Sequence, residues 1–472
     1  MHIYLYGSGN RCRILLELIR LSDIKIAGIV DSNPSRHGNR IYGYEVLPVD
    51  QLKKCADEYV CVTFFGDKDY EPVWEDLTRI YKVAKNRIMS CHDLIRVLYQ
   101  RIITIPMTTT DISIRKKVVF AKAWDFGVGG VETWIDETGA LLLRQSKDVY
   151  LLAKKDRYIE KQELIDNVID FCVDDSCDFK KNDVERTVTK LVENAPCVLV
   201  CSRADEVLLS AAMLHKVYSD SFRIIAVIHG ACDGIIRDFY AYDDVIDRYI
   251  CVSTAVQRAL VALGVEKDRT EIITSPIADL SHGTRAYSLD INNPIKIGYA
   301  GRLEVFHKRS DLLIQLVKKL EILKVNYCFE IVGDGSFSRS LKQFIEDNNL
   351  QEKVCYKGLI DRKAIYDFWI DKDIAVNVSE SEGRPISNIE AMICGVVPVV
   401  TATAGILDDV MDGDTGYTVD IGDMDSMARV IEYLANNRSC IKETGERARE
   451  YISKKTDVRS YEEQWSRILE VR

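Results

Sequence analysis

Two glutamates eight positions apart, Glu382 and Glu390, lie in the run Ser379-Glu380-Ser381-Glu382-Gly383-Arg384-Pro385-Ile386-Ser387-Asn388-Ile389-Glu390-Ala391-Met392. Pro385 suits the first turn of a helix predicted over 386–394, where its missing N–H costs nothing. The loop ahead of that helix, together with the helix N-terminus, turns free backbone N–H groups toward an anion or a sugar's hydroxyls. Each carboxylate placed there can accept a pair of hydroxyl hydrogen bonds. Read alone, the spacing also fits an acidic loop ahead of an ordinary buried helix. Upstream, Gly298-Tyr299-Ala300-Gly301-Arg302-Leu303 runs on to His307-Lys308-Arg309. Arg302 and Lys308 offer a fork-shaped guanidinium and an ammonium, which together meet phosphate charge without a metal. The same cations also suit a solvated helix start, since Ser310 and Asp311 open a helix predicted through Lys324.

Such groups need rigid elements to hold them. Short β-branched runs alternate with helix-period segments along the 472 residues, the pattern of parallel sheets with helices on both faces. A chain of this length exceeds one ordinary core. It divides into a small first block (1–105), a second (112–285), a third (290–450) and a terminal helix (451–472). The first has strands predicted at His2–Tyr6, Ile24–Asp31 and Tyr59–Thr63. The second has Lys117–Ala121, Asp148–Ala153, Cys197–Ser202, Phe222–His229 and Arg248–Ser253. The third has Ile295–Ala300, Tyr327–Gly333, Val354–Gly358, Ile374–Ser379 and Val397–Thr401. Arg101–Ile112 and Leu280–Pro294 read as linkers. In the terminal helix Tyr461, Trp465 and Leu469 recur every four residues, an apolar stripe.

Composition narrows the class. With 47% hydrophobic and 29% charged residues the chain reads as soluble and globular. No apolar run reaches the length of a membrane-spanning helix, and the opening residues lack the basic segment of a signal peptide. The fourteen cysteines are scattered without a C-x-x-C pair, which predicts free thiols in a reducing cytoplasm and no metal site. A net charge of −10 argues against a phosphate-backbone partner such as nucleic acid. Residues 111–290 hold 23 Lys and Arg against 30 Asp and Glu, which weakens docking to an anionic membrane.

The E-x7-E run, followed by Gly395-Val396-Val397-Pro398-Val399-Val400-Thr401, resembles the signature of retaining nucleotide-sugar glycosyltransferases of the GT-B fold, family 4. The upstream Gly301-Arg302 with Lys308 resembles that family's G-R-L…K-G segment, with Arg309 in place of its glycine. The resemblance covers roughly 115–472. It implies an α/β fold of two Rossmann-like lobes, a donor lobe at 290–450 and an acceptor lobe at 112–285, with the terminal helix crossing back to the acceptor lobe. It assigns Glu382 to the transferred sugar, Glu390 to the nucleotide ribose, and Arg302 and Lys308 to the departing diphosphate. Around them it implies donor contacts from Gly383, Arg384, Pro385 and Ile389, and from the turn Gly333-Asp334-Gly335. Leu359, after Gly358, would meet the base. In the acceptor lobe, Gly127-Val128-Gly129-Gly130 resembles the family's phosphate-facing loop, with Gly129 and Gly130 at its tip. His229, ending a strand, resembles a histidine near the reacting sugar; a strand-end histidine also serves plain packing. Ser253 matches a V-S step, and Thr254 with Gln257 predicts a capping box. Ala404-Gly405 stands where many relatives carry two glycines.

The resemblance implies no cofactor: a nucleotide-sugar, a UDP-sugar first, is substrate, and a glycan or lipid-linked glycan is acceptor. It implies a cytoplasmic protein working at the inner face of the membrane, in cell-surface polysaccharide or glycoconjugate assembly. Two rivals stay open: a GT-B sugar-nucleotide epimerase, and a non-catalytic nucleotide-sugar-binding subunit of a polymer-synthesis complex. In the first block, Gly7-Ser8-Gly9 opens a helix predicted over 13–21, and Asp31 follows 22 positions after Gly9. That spacing fits a Rossmann ribose carboxylate. With Asp31-Ser32-Asn33-Pro34 and Ile41-Tyr42-Gly43-Tyr44-Glu45-Val46, the block resembles the small domain ahead of bacterial sugar acyltransferases. It is either a second nucleotide pocket at Gly7, Gly9 and Asp31 or a structural and docking domain.

Overall fold

Runs of Val, Ile and aromatic residues pleat into strands wherever they are buried on both faces, and this chain has three sets of them. The structure is a computed structural model, described over residues 1–54, 58–63, 67–101, 117–122, 130–153, 162–171, 173, 180–215, 221–275 and 285–470. The first sheet comprises β1 (His2–Tyr6), β2 (Lys25–Asp31), β3 (Arg40–Ile41), β4 (Tyr44–Pro48), β5 (Tyr59–Val62) and β6 (Ile88–Ser90). The second comprises β7 (Lys117–Ala121), β8 (Val149–Ala153), β9 (Val168–Asp170), β10 (Cys197–Cys201), β11 (Phe222–Ile228), β12 (Arg248–Cys251) and β13 (Thr270–Ile272). The third comprises β14 (Ile295–Ala300), β15 (Tyr327–Val332), β16 (Val354–Gly358), β17 (Ile374–Asn377), β18 (Val397–Thr401) and β19 (Tyr417–Val419).

Every strand expected from the sequence is present, within two residues at its ends. The additions β3, β4, β6, β9, β13 and β19 are mostly short edge pieces, whose pairing depends on neighbours more than on their own pattern. The linker expected at Arg101–Ile112 lies largely outside the described residues, as does Gly129.

The third sheet runs in the order β16-β15-β14-β17-β18-β19, with parallel pairing throughout. Chain direction across the sheet reverses beside β14, so the loops leaving β14 and β17 diverge to opposite faces. Ligands of open α/β sheets bind at such a point, outside the carboxyl ends of the strands. One apolar core packs Ile295, Ile297, Phe329, Ile331, Ile374, Val376, Val397 and Val399 against Leu312, Leu316 and Leu320 of the helix Asp311–Ile322, while Val332, Ala375 and Val400 of the same strands join separate clusters with Phe368 and Trp369 and with Ile389 and Met392. The first and second sheets reverse their winding in the same way, with orders β3-β4-β2-β1-β5-β6 and β13-β12-β11-β10-β7-β8-β9, although β3 pairs with β4 antiparallel.

The chain forms two compact units. One takes Met1–Ile228, Asp233–Ile250 and Ala259–Glu271, and the other takes His229–Cys232, Cys251–Arg258 and Ile272–Arg472. The first two sheets therefore share a unit. Within it the helix Cys91–Arg101 meets the helix Asp233–Tyr240 and the turn after it. His92 bonds Asp238 at 3.2 Å, Arg96 donates to the Tyr240 carbonyl at 2.7 Å, and Tyr99 stacks on Tyr242 with ring centroids 5.4 Å apart. Arg11 also pairs with Asp238, and Tyr99 with Asp244.

Two local readings need correction. The expected Thr254–Gln257 capping box is not what starts the helix Thr254–Ala262. Ser253 does, its Oγ accepting from Val256 N at 3.4 Å while its carbonyl accepts from Gln257 N at 3.2 Å. Pro385 precedes the helix Ile386–Ile393 as its cap, with φ −72° and ψ 116°, instead of standing inside the first turn. The extended ψ agrees with a residue that feeds a helix without yet belonging to it.

Candidate functional site

β14 and β17 deliver the two charged motifs to neighbouring strand ends. The segment after β14 carries Arg302 and Lys308, and the segment after β17 carries Ser379, Glu380 and Glu382. Their side chains meet. Lys308 Nζ donates to Glu382 Oε1 at 2.7 Å, and Ser379 Oγ donates to the same oxygen at 2.7 Å. Backbone seals the contact, because Glu380 N donates to the His307 carbonyl at 2.9 Å. Arg309, at the position expected to be glycine, has φ +48°, and His307 has φ +63°. Lys308 is thus held between two left-handed residues, a costly backbone that persists where surrounding contacts over-determine it. The Arg309 guanidinium secures its end by pairing with Asp311 at 3.1 Å and Glu380 at 3.4 Å.

Arg302 behaves differently. Its side chain is 61% exposed and, among the described residues, pairs with Glu304 at 3.3 Å. An exposed pair of this kind holds the guanidinium weakly, leaving it ready for a stronger anion. Its own backbone is fixed, since Tyr299 Oη and Ser310 Oγ both donate to the Arg302 carbonyl, at 3.0 and 3.4 Å.

The glycines of the third sheet are explained by close approach. Gly333 has φ +122°, and a Cβ there would stand 1.9 Å from the Gly301 carbonyl oxygen. Gly333 N in turn donates to the Gly358 carbonyl at 2.8 Å, which places the ends of β14, β15 and β16 side by side. Gly335 abuts the Leu303 backbone in the same way. Leu359, next in line, is 62% exposed. A second crowded point joins three loops: a Cβ on Gly383 would lie 1.8 Å from the His229 carbonyl oxygen, and one on Gly405 would lie 1.8 Å from that of Gly383. His229 is thereby brought beside the Glu382 loop. Packing around its imidazole strips away solvation and pushes its pKa down to about 4, so the ring is neutral at pH 7.

Glu390 sits in the middle of the helix Ile386–Ile393, on its buried side with Ile389. Burial pushes its carboxyl up to about 7, and the charge of Arg362 opposes that only in part. The Arg384 guanidinium, by contrast, is taken up within the protein. It pairs with Asp409 through Nε at 2.6 Å and through Nη2, and also reaches Thr274, with both charged side chains 4% exposed. Sequence reading missed Asp409, and nothing in its local pattern marks it. Ser379, Asn377, Asn388 and Thr401 were also missed as a group, because they come from different elements.

In the other unit Gly130 begins the helix Gly130–Arg144. Glu132, two residues on, bonds the buried Lys122 at 2.5 Å. In the first sheet Asp31 is committed to the turn after β1 and to the segment that follows it. It accepts from Ser8 N at 2.8 Å, Ser8 Oγ at 2.5 Å, Asn33 N at 2.8 Å and Arg36 at 3.2 Å. Burial alone would raise this carboxyl, but those donors outweigh it and hold it below the usual range. Gly7, with φ +101°, makes the turn out of β1, and Gly9 precedes the helix Asn10–Ile19.

With this geometry in place, comparison with known proteins is informative. Residues 285–455 match the family model of glycosyl transferases group 1. The chain is 36% identical over 178 residues to poly(ribitol-phosphate) alpha-N-acetylglucosaminyltransferase of Staphylococcus aureus, a match covering 37% of this chain and 35% of that protein. It is 27% identical over 174 residues to N-acetyl-alpha-D-glucosaminyl L-malate synthase of Bacillus anthracis, covering 37% and 44%. The chain thus spans less than half the length of these curated relatives. Among solved structures it is similar to HepE of Anabaena, crystallised with UDP-glucose, at a TM-score of 0.61 and 18% identity, covering 75% of this chain and 99% of that one. The third sheet and its helices thus lie in the stretch that matches the glycosyl transferases group 1 model, and over three quarters of the chain the fold is similar to that of HepE.

Proposed function

We propose that this chain is a retaining, metal-independent glycosyltransferase of family 4. It moves an N-acetylhexosaminyl group, N-acetylglucosaminyl first, from a UDP-sugar to a hydroxyl of a cell-surface polymer or glycoconjugate precursor. The observation that carries the reading is the meeting of Lys308 with Glu382 at the strand ends β14 and β17, with Arg302 exposed beside them. As a sugar leaves a nucleoside diphosphate, negative charge grows on the β-phosphate; Arg302 and Lys308 stabilise it. Glu382 orients the sugar, Glu390 holds the ribose, Leu359 lies along the base, and neutral His229 hydrogen-bonds a sugar hydroxyl. The acceptor attacks from the face the nucleotide leaves, and the departing phosphate helps take its proton. The N-acetylglucosaminyl choice rests on the names of the two curated relatives above. The first sheet is structural in this reading, because Asp31 already spends its oxygens on Ser8, Asn33 and Arg36. The protein works on the cytoplasmic side, at the membrane surface when the acceptor is lipid-linked.

The test is release of nucleoside diphosphate from a panel of UDP-, GDP- and ADP-sugars, with calorimetric binding of UDP alongside. Activity with UDP-N-acetylglucosamine that persists in EDTA is expected, with Lys308→Ala reducing kcat about 10²- to 10³-fold. Loss of activity on chelation would remove the metal-free mechanism, and wild-type rates in Lys308→Ala would remove the site.

A further inference from the structure

We propose that Ser379 is a positioning residue that fixes the sugar-facing carboxylate of Glu382 independently of Lys308. This rests on the glycosyltransferase reading above. Lys308 Nζ and Ser379 Oγ converge on one oxygen, Glu382 Oε1, both at 2.7 Å. Two donors on Oε1 orient the carboxylate and leave Oε2 to accept from sugar hydroxyls. Lys308, however, is the cation required by the leaving diphosphate, and its ammonium turns toward that charge as the bond breaks. An anchor that does not move is then needed.

Ser379 has the necessary rigidity. It is 1% exposed, two residues past the end of β17. Its N–H donates to Asn377 Oδ1 at 2.9 Å, and its carbonyl accepts from Thr401 Oγ1 at 2.5 Å. The Asn377 amide is itself oriented, since its Nδ2 donates to Asn388 Oδ1 at 3.4 Å. Asn377 and Asn388 are also buried, at 6% and 5% exposure. Supporting hydrogen bonds of this kind, behind the group that touches the ligand, hold a rotamer in its working geometry. The neutral hydroxyl supplies one donor and no competing charge, so it leaves Lys308 free for the phosphate.

The experiment compares UDP with the UDP-sugar selected by the donor panel, by calorimetry, in wild type, Ser379→Ala and Ser379→Thr. The ratio of the two dissociation constants reads the sugar's own contribution. It is expected to fall about tenfold in Ser379→Ala and to recover largely in Ser379→Thr, while UDP alone binds within about twofold throughout. In turnover, Ser379→Ala lowers kcat more than it raises the donor KM. An unaltered ratio in Ser379→Ala overturns the proposal, as does an equal loss of UDP and UDP-sugar affinity. If Ser379→Ala does not fold, Ser379→Cys, of similar size and a weak donor, carries the same comparison. Failure of wild type to bind UDP sinks the UDP-sugar transferase reading on which this proposal rests, a result seen before any Ser379 variant is made.

Discussion

At the residue scale the two glutamates of one motif have opposite electrostatic settings. Glu382 is met by two donors on one oxygen. Glu390 is stripped of water, and burial pushes it up to about 7 from an ordinary 4.5. A carboxyl raised on folding favours the folded state below the unfolded value, and that advantage is lost as pH rises through 7. Replacing Glu390 with Gln is therefore expected to leave Tm near wild type at pH 5 and to raise stability at pH 8 by about 1–3 kcal/mol, at roughly 1.4 kcal/mol per pKa unit. Thermal melts at the two pH values check this. The same substitution is expected to weaken UDP binding, a trade of stability for a ligand site. In the proposed reading ribose hydroxyls donate to Glu390 and favour its charged form, so UDP binding at pH 6.5 should release a proton. Calorimetry in buffers of different ionisation enthalpy measures that release, and its presence in Glu390→Gln would remove Glu390 from the ribose site. The motifs were legible because the spacing of each lies within one short stretch of chain. The pairing of Arg384 with Asp409 was not, since Asp409 comes from another segment and only folding joins them.

At the element scale the third sheet is tied at its amino edge by Asp373, ahead of β17. Its carboxylate accepts from Lys296 N at 2.9 Å at the start of β14 and from Arg285 at 3.1 Å, and it lies 3.4 Å from Arg438. Both guanidinium side chains are nearly inaccessible, at 3% and 2%. Removing one member of such a group leaves buried charge uncompensated and typically costs about 3–5 kcal/mol. Asp373→Ala is expected to lower the denaturation midpoint by a corresponding amount in urea titration. A variant with the wild-type midpoint would show that the cluster is solvated and contributes little. The candidate site lies at the opposite, carboxyl ends of these strands, so residual folded Asp373→Ala protein should still bind UDP. The helix-period and β-branched patterns foretold nearly all of these strands. They could not foretell Asp373, which reads in sequence as one more acid in Asp371-Lys372-Asp373.

At the scale of the whole molecule the first sheet, set apart by sequence as its own block, shares a compact unit with the second. The join is polar and specific. His92 is buried against Asp238, and although burial opposes its charge, the bonds to Asp238 and Cys91 outweigh it and raise its pKa to about 9. A raised histidine adds stability in full below its unfolded value near 6.5 and loses it as pH climbs through 9. We expect Tm to fall from pH 7 to 9.5 by the equivalent of about 2 kcal/mol, and His92→Gln to flatten that slope. An identical slope in His92→Gln would place the titration elsewhere. Sequence alone determined the alternation of strands and helices, the α/β class, and the motif loops that lie at strand ends. Those follow from local periodicity and from short-range spacing, which the chain carries wherever it goes. Only the tertiary structure decided that Lys308 grips Glu382, that Ser379 shares that oxygen, and that Ser8 of the turn after β1 takes up Asp31. It also decided that His92 of the first block answers Asp238, 146 residues away. Contacts of that reach depend on strand order and on which side chains burial leaves in need of a partner, and neither is written in any one stretch of the chain.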